Sequence, residues 1–137
     1  MTGFRLAARL EADSLFLADW PLSQVRLMDD CRYPWLLLVP RIASLEEWDQ
    51  LSDADAVALS LETKRAVSAL RASVRPVKVN VAALGNIVRQ FHLHVVGRFE
   101  SDPAWPGPVW GAGNPEPYPV AECEETIRRW RTLLSQG

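Results

Sequence analysis

Histidine, cysteine, methionine and tyrosine are scarce in this chain, with 2 of each among 137 residues. Cys31 and Cys123 stand far apart and neither has a second thiol beside it, a spacing that fits neither a disulfide framework nor a zinc motif. Both are read as ordinary reduced thiols. An excess of one charge is also missing: 15 basic residues stand against 17 acidic ones, for a formal net charge of −2. Neither sign gathers into a block that can follow a phosphate backbone, which speaks against a general nucleic-acid binder. Long apolar runs are absent too. The longest, Trp35 to Pro40, falls far short of the roughly 20 residues a membrane-spanning helix needs. The opening stretch from Met1 to Phe16 is interrupted by Arg5, Arg9, Glu11 and Asp13, so it offers no signal-peptide core, and the expected location is cytoplasmic, with no membrane partner. What is present is the balance of a folded chain, 48% hydrophobic and 23% charged, in a length that suits a single domain over residues 1–137.

Periodicity places the elements. Phe4 to Ala12 carries a weak helical pattern, and three short apolar runs, Ser14 to Ala18, Gln24 to Met28 and Trp35 to Val39, are separated by Asp- and Pro-bearing turns and read as strands. Ser44 with Glu47 and Ser52 with Asp55 both match the capping box, in which a hydroxyl and a carboxylate satisfy orphan N–H groups reciprocally. The second opens the longest helix, Asp53 to about Ser73, with Ala56, Leu59, Thr63, Ala66, Leu70 and Ser73 along one face and Pro76 past its end. Val77 to Ala82 and Val88 to Val96 alternate like two strands of a hairpin turning at Gly85-Asn86. Residues 102–119 hold 6 of the 10 prolines together with Trp105 and Trp110, and are expected to form a long ordered loop. A helix over about 120–135 closes the chain, with Cys123, Ile127, Trp130 and Leu134 as its apolar stripe.

Both histidines fall on the strand Val88 to Val96, where alternation sends Phe91, Leu93 and Val95 to one face and Gln90, His92 and His94 to the other. The Gly85-Asn86 turn before them offers backbone N–H groups to an anion, and Asn80 on the partner strand adds an amide that both donates and accepts. Two imidazoles and several amides on one face suit a phosphate ester. Zinc is the other chemistry that His-x-His suggests, but it needs a third protein ligand that no nearby Cys or His supplies, so neither a metal nor a cofactor is expected.

The segment from Asn80 to Val96, with its core Gln90-Phe-His92-Leu-His94-Val-Val96, resembles the signature of the histidine triad superfamily, His-x-His-x-His followed by two apolar residues. Gln90 stands at the first histidine, His92 at the central nucleophile and His94 at the last. Asn80 and the Gly85-Asn86 pair resemble the phosphate contacts of relatives, Trp35 to Arg41 is similar to the family's strand ending in Pro and a basic residue, and Asp29 lies about where a ribose-binding carboxylate is found. The Gln-x-His-x-His form followed by a Pro- and Trp-rich loop resembles a bacterial subgroup.

The resemblance implies an α+β fold built on a five-stranded antiparallel sheet with one long helix and a C-terminal helix. It also implies a homodimer, with the long helix or the strand Val77 to Ala82 near the two-fold axis, and cleavage of purine nucleotides at the α-phosphate. His92 would attack phosphorus to form a nucleotidyl-histidine that water resolves, while His94, Gln90 and Asn86 hold the non-bridging oxygens and His94 also passes a proton. Trp105 and Trp110 are the candidates to stack on a base or cover the ligand. Gln90 does not titrate, so it can orient a phosphate but cannot move a proton. Arg41 to Ser44 lacks the further histidine that several branches use to protonate the leaving group, which favours phosphoanhydrides such as dinucleoside polyphosphates. A catalytically weakened nucleotide-binding or regulatory protein of the same fold is the alternative.

Overall fold

The structure, a computed structural model, describes residues 3–136. The chain runs α1 (Ala8–Asp13), β1 (Ser14–Asp19), β2 (Ser23–Met28), β3 (Trp35–Pro40), α2 (Asp53–Val74), β4 (Lys78–Ala83), β5 (Leu93–Arg98) and α3 (Val120–Leu134). The five strands form one antiparallel sheet in the order β1-β2-β3-β5-β4. None of the helices among the described residues is long and apolar enough to cross a membrane.

Strands β3 and β5 are central and buried at every position, which is why Trp35 to Val39 reads as an unbroken apolar run. One face of the sheet presents Val25, Leu27, Leu36, Leu38, Leu93 and Val95 to a core completed by Leu59, Ala66 and Leu70 of α2 and Trp130 and Leu134 of α3. Each such fully buried leucine contributes about 1.5–3 kcal/mol relative to exposure. The other face carries Trp35, Leu37, Val39 and Val96 and is covered by Leu10 of α1, by Tyr33 and by Val109 of the long loop. His94 lies on this second side, against Trp35.

Helix α2 begins as expected, with the Ser52 hydroxyl accepting from the Asp55 N–H at 3.1 Å, and ends at Arg75, whose left-handed φ of 50° precedes Pro76. Its Glu62 carboxylate accepts from the N–H groups of Leu22 and Ser23, tying the helix to the β1–β2 turn. The expected Ser44 cap does not form. Ser44 takes a φ of 61°, and the capping box instead pairs Glu47 with Gln50 around a single 3₁₀ turn, Trp48–Gln50.

The hairpin differs from expectation as well. Pairing starts at Ala83↔Leu93, so β5 begins at Leu93 and residues 84–92 form a broad connection in place of a tight turn at Gly85-Asn86. Helix α1 starts at Ala8, four residues later than its apolar pattern suggests, and Phe4, Leu6 and Ala7 before it pack on the cluster around Trp35.

Candidate active site

His92 sits immediately before β5 and His94 is its second residue. Although the first lies outside the strand, the chain stays extended enough to keep both on one face. Their ring centroids are 4.8 Å apart, and Phe91, Leu93 and Val95 enter the core on the other side. Both imidazoles are nearly buried, at 5% and 4% exposure.

The hydrogen bonds of the two rings fix where their protons lie. His92 Nδ1 is 2.7 Å from the backbone carbonyl of Gln90, which can only accept, so Nδ1 carries the proton and Nε2 keeps its lone pair. For His94 the order is reversed. The indole N–H of Trp35 can only donate, and at 3.0 Å it occupies His94 Nδ1, so the proton is on Nε2, with the Leu84 carbonyl 3.4 Å away. Burial lowers the pKa of His92, opposed by its bond to the Gln90 carbonyl. Burial, and then the neighbouring His92, take His94 down to about 4. At neutral pH both rings are uncharged, one offering a nucleophilic lone pair and the other a donor.

The histidines lie at the bottom of a cleft of about 440 Å³. Its walls include Leu10 of α1, Met28 of β2, Val109 and Trp110 of the long loop and Asn86 of the β4–β5 connection. Trp110 stands edge-on to both His94 and Trp35, with centroid distances of 5.3 and 6.3 Å. Its indole N–H is buried without an acceptor among the described residues. A Cβ added at Gly85 would meet the Val88 carbonyl at 2.8 Å, which explains a glycine there, while His92 Cε1 lies at ordinary contact distance, 3.7 Å. Nor does any protein acceptor among the described residues engage the backbone N–H groups of Asn86, Ile87 and Val88, which leaves them open to an anion.

His92, His94, Asn86 and Trp110 are therefore brought together, with Gly85 packed beneath. Four other expected site residues are employed elsewhere. Gln90 turns its side chain to the N-terminal segment, accepting from the Ala7 N–H at 2.8 Å and donating to the Arg5 carbonyl at 2.7 Å. Asn80 accepts from Arg98, which also forks onto Asp102 and donates to the Gly107 carbonyl, a buried network that staples the long loop to β4 and β5. Trp105 belongs to that staple: its N–H bonds Asp102, and the Arg98 guanidinium lies 5.7 Å from its ring centroid. Asp29 accepts from the Tyr118 N–H at 2.9 Å and is not among the residues lining the cleft.

Sequence reading missed the cleft's other side. Asp30, not Asp29, lines it, but both its oxygens are held by the Arg32 fork. Burial works to raise the Asp30 pKa, and the hydrogen bonds from Arg32 and the Glu116 N–H outweigh it and hold it low. Arg32 also donates to the Ala112 carbonyl, which shapes the loop at the cleft mouth. Trp35 escaped notice because its contact with His94 depends on the β3–β5 register, Trp35↔Val96 and Leu37↔His94. No group of three His, Cys, Asp or Glu side chains is clustered for a metal among the described residues.

Comparison with known proteins identifies the family and the fold. A family model described as HIT domain matches residues 9–101. A histidine triad protein from Sinorhizobium meliloti is similar over 96% of this chain and 98% of its own, with 45% identity and a TM-score of 0.92. One from Marinobacter aquaeolei matches over 97% of both chains, with 39% identity and a TM-score of 0.93. One from Bradyrhizobium japonicum has 38% identity over 96% of this chain and 98% of its own, at a TM-score of 0.92. No curated protein matches the chain.

Proposed function

The chain belongs to the histidine triad (HIT) family, and on that premise we propose that it binds a purine nucleotide in the cleft and cleaves it at the α-phosphate through a nucleotidyl-His92 intermediate. The observation that carries this reading is the pair of opposed tautomers: a free Nε2 lone pair on His92 beside an Nε2–H on His94. The lone pair attacks phosphorus, and the bond to the leaving group breaks with its electron pair. Positive charge appearing on the ring is met by the Gln90 carbonyl at Nδ1. His94 Nε2–H, turning from its long 3.4 Å contact with the Leu84 carbonyl, the Asn86 amide and the open N–H groups of residues 86–88 hold the non-bridging oxygens. Water then attacks the same phosphorus, releases a nucleoside monophosphate and restores His92. Leu10, Met28, Val109 and Trp110 supply apolar surface for the base.

His94 does not shuttle a proton in this scheme, since Trp35 occupies one nitrogen and burial resists a second proton. Leaving groups that depart as stable anions are favoured, which points to phosphoanhydrides. Chromatography after incubation with a dinucleoside polyphosphate tests the reading: the wild type releases a nucleoside monophosphate and His92→Gly does not.

One observation favours the second reading, a nucleotide-binding or regulatory protein with weakened catalysis, for Gln90 is committed to the N-terminal segment and adds nothing to the phosphate site. Stabilisation by AMP or GMP without turnover would identify it. A homodimer belongs to the same proposal. β4 is an edge strand with an open ladder, and Val77, Val81 and Leu84 are exposed along it. Sedimentation at micromolar concentration gives twice the chain mass if this edge pairs.

A further inference from the structure

We propose that Gln90 is a positioning residue whose side chain clamps the N-terminal arm and so holds α1 as one wall of the cleft, and that the first position of the triad motif serves recognition and takes no part in breaking the bond. This rests on reading the cleft as a nucleotide site. The Gln90 amide engages the two backbone groups that flank Leu6, accepting from the Ala7 N–H and donating to the Arg5 carbonyl. A primary amide presents one acceptor and one donor side by side and matches such a pair. The two nitrogens of an imidazole diverge, so a histidine at this position can serve only one of them.

The arm needs such a tether. It leads into α1, which has six residues and no side-chain cap at Ala7, far below the length at which a helix stands alone. Beyond α1's own contacts, the arm is held by Phe4, Leu6 and Ala7 lying on the cluster of Tyr33, Trp35, Val96 and Val109. Arg9, Leu10 and Asp13 of α1 face the cleft, with Arg9 and Asp13 paired at its exposed mouth. The residue holding this wall is also the one whose backbone carbonyl sets the tautomer of His92. One residue thus joins the recognition wall to the nucleophile, its side chain serving the first and its main chain the second.

Hydrogen exchange at the Ala7 amide, AMP affinity by calorimetry, and kcat and KM are measured for the wild type, Gln90→Ala, Gln90→His and Ala7→Pro. Ala7→Pro deletes the N–H from the opposite side of the clamp, and the φ of −58° at Ala7 already suits proline. Expected are faster exchange at Ala7 in Gln90→Ala, and AMP affinity weaker by about tenfold in all three, with a loss in KM that exceeds the loss in kcat. The double variant Gln90→Ala/Ala7→Pro should bind AMP no more weakly than the worse single variant, since both remove one clamp. Undiminished AMP affinity with a fast-exchanging Ala7 overturns the proposal, as does a Gln90→His variant with raised kcat and unchanged KM. A wild type that binds no AMP while Gln90 still protects the Ala7 amide overturns instead the nucleotide reading on which the wall's role rests.

Discussion

Trp35 donates its indole N–H to Nδ1 of His94 at 3.0 Å, with the ring centroids 5.7 Å apart, and this bond decides which nitrogen of His94 faces a ligand as a donor. In Trp35→Phe the donor is lost and His94 is free to place its proton on either nitrogen. Nitrogen NMR of His94 should change from a single Nε2–H pattern to a mixture, and turnover should fall about tenfold, the order expected when one prepared donor is misdirected. An unchanged nitrogen pattern would show that Trp35 only packs.

Stability should depend on pH through the buried imidazoles. His94 is held at about 4 in the folded protein against 6.5 for an ordinary imidazole, chiefly by burial, and His92 is lowered for the same reason. A folded-state value below the unfolded one means that protonation favours the unfolded chain, so this stability is fully present above pH 6.5 and is lost as pH falls towards 4. For His94 the loss is about 3 kcal/mol in that window. Asp30 and Asp102 are both held below the ordinary 3.8, so their contributions disappear only at lower pH. Urea unfolding across this range should show a marked slope for the wild type and a shallower one for His94→Gln. Parallel slopes would contradict the assignment.

The two tryptophans of the long loop should separate cleanly. Trp110→Ala removes a cleft wall next to His94 and is expected to weaken AMP binding by about tenfold with little change in thermal midpoint. Trp105→Ala disturbs the Arg98–Asp102 staple and is expected to lower the midpoint by about 5 °C with smaller effect on affinity. Calorimetry and a thermal melt of each variant check both.

Much of the fold was legible because the strands alternate or run apolar and because Ser52 caps α2. What escaped depends on contacts that no local pattern carries. Alternation continues from Val88 through Phe91, yet strand pairing stops at Ala83↔Leu93, and the connection beyond it brings Asn86, Ile87 and Val88 to line the cleft with the histidines. Ser44 and Glu47 have the spacing of a cap, but a positive φ at Ser44 passes the box to Glu47 and Gln50. In the site, His92 and His94 were readable from their spacing on one face. Gln90 was not, because its partners Arg5 and Ala7 are more than 80 positions away in the chain. Asn80 and Asp29 carry the right chemistry for phosphate and ribose, and only the tertiary structure reveals that Arg98 and the Tyr118 N–H use it.

The covalent role of His92 is tested most directly by quenching the protein in alkaline denaturant soon after mixing with a dinucleoside polyphosphate and mapping the adduct by mass spectrometry, since the phosphorus–nitrogen bond is labile to acid. The expected result is one nucleoside monophosphate on the peptide containing His92, absent from His92→Gly, which also loses turnover. An adduct on another residue, or a His92→Gly variant that keeps most of the wild-type kcat, would contradict it.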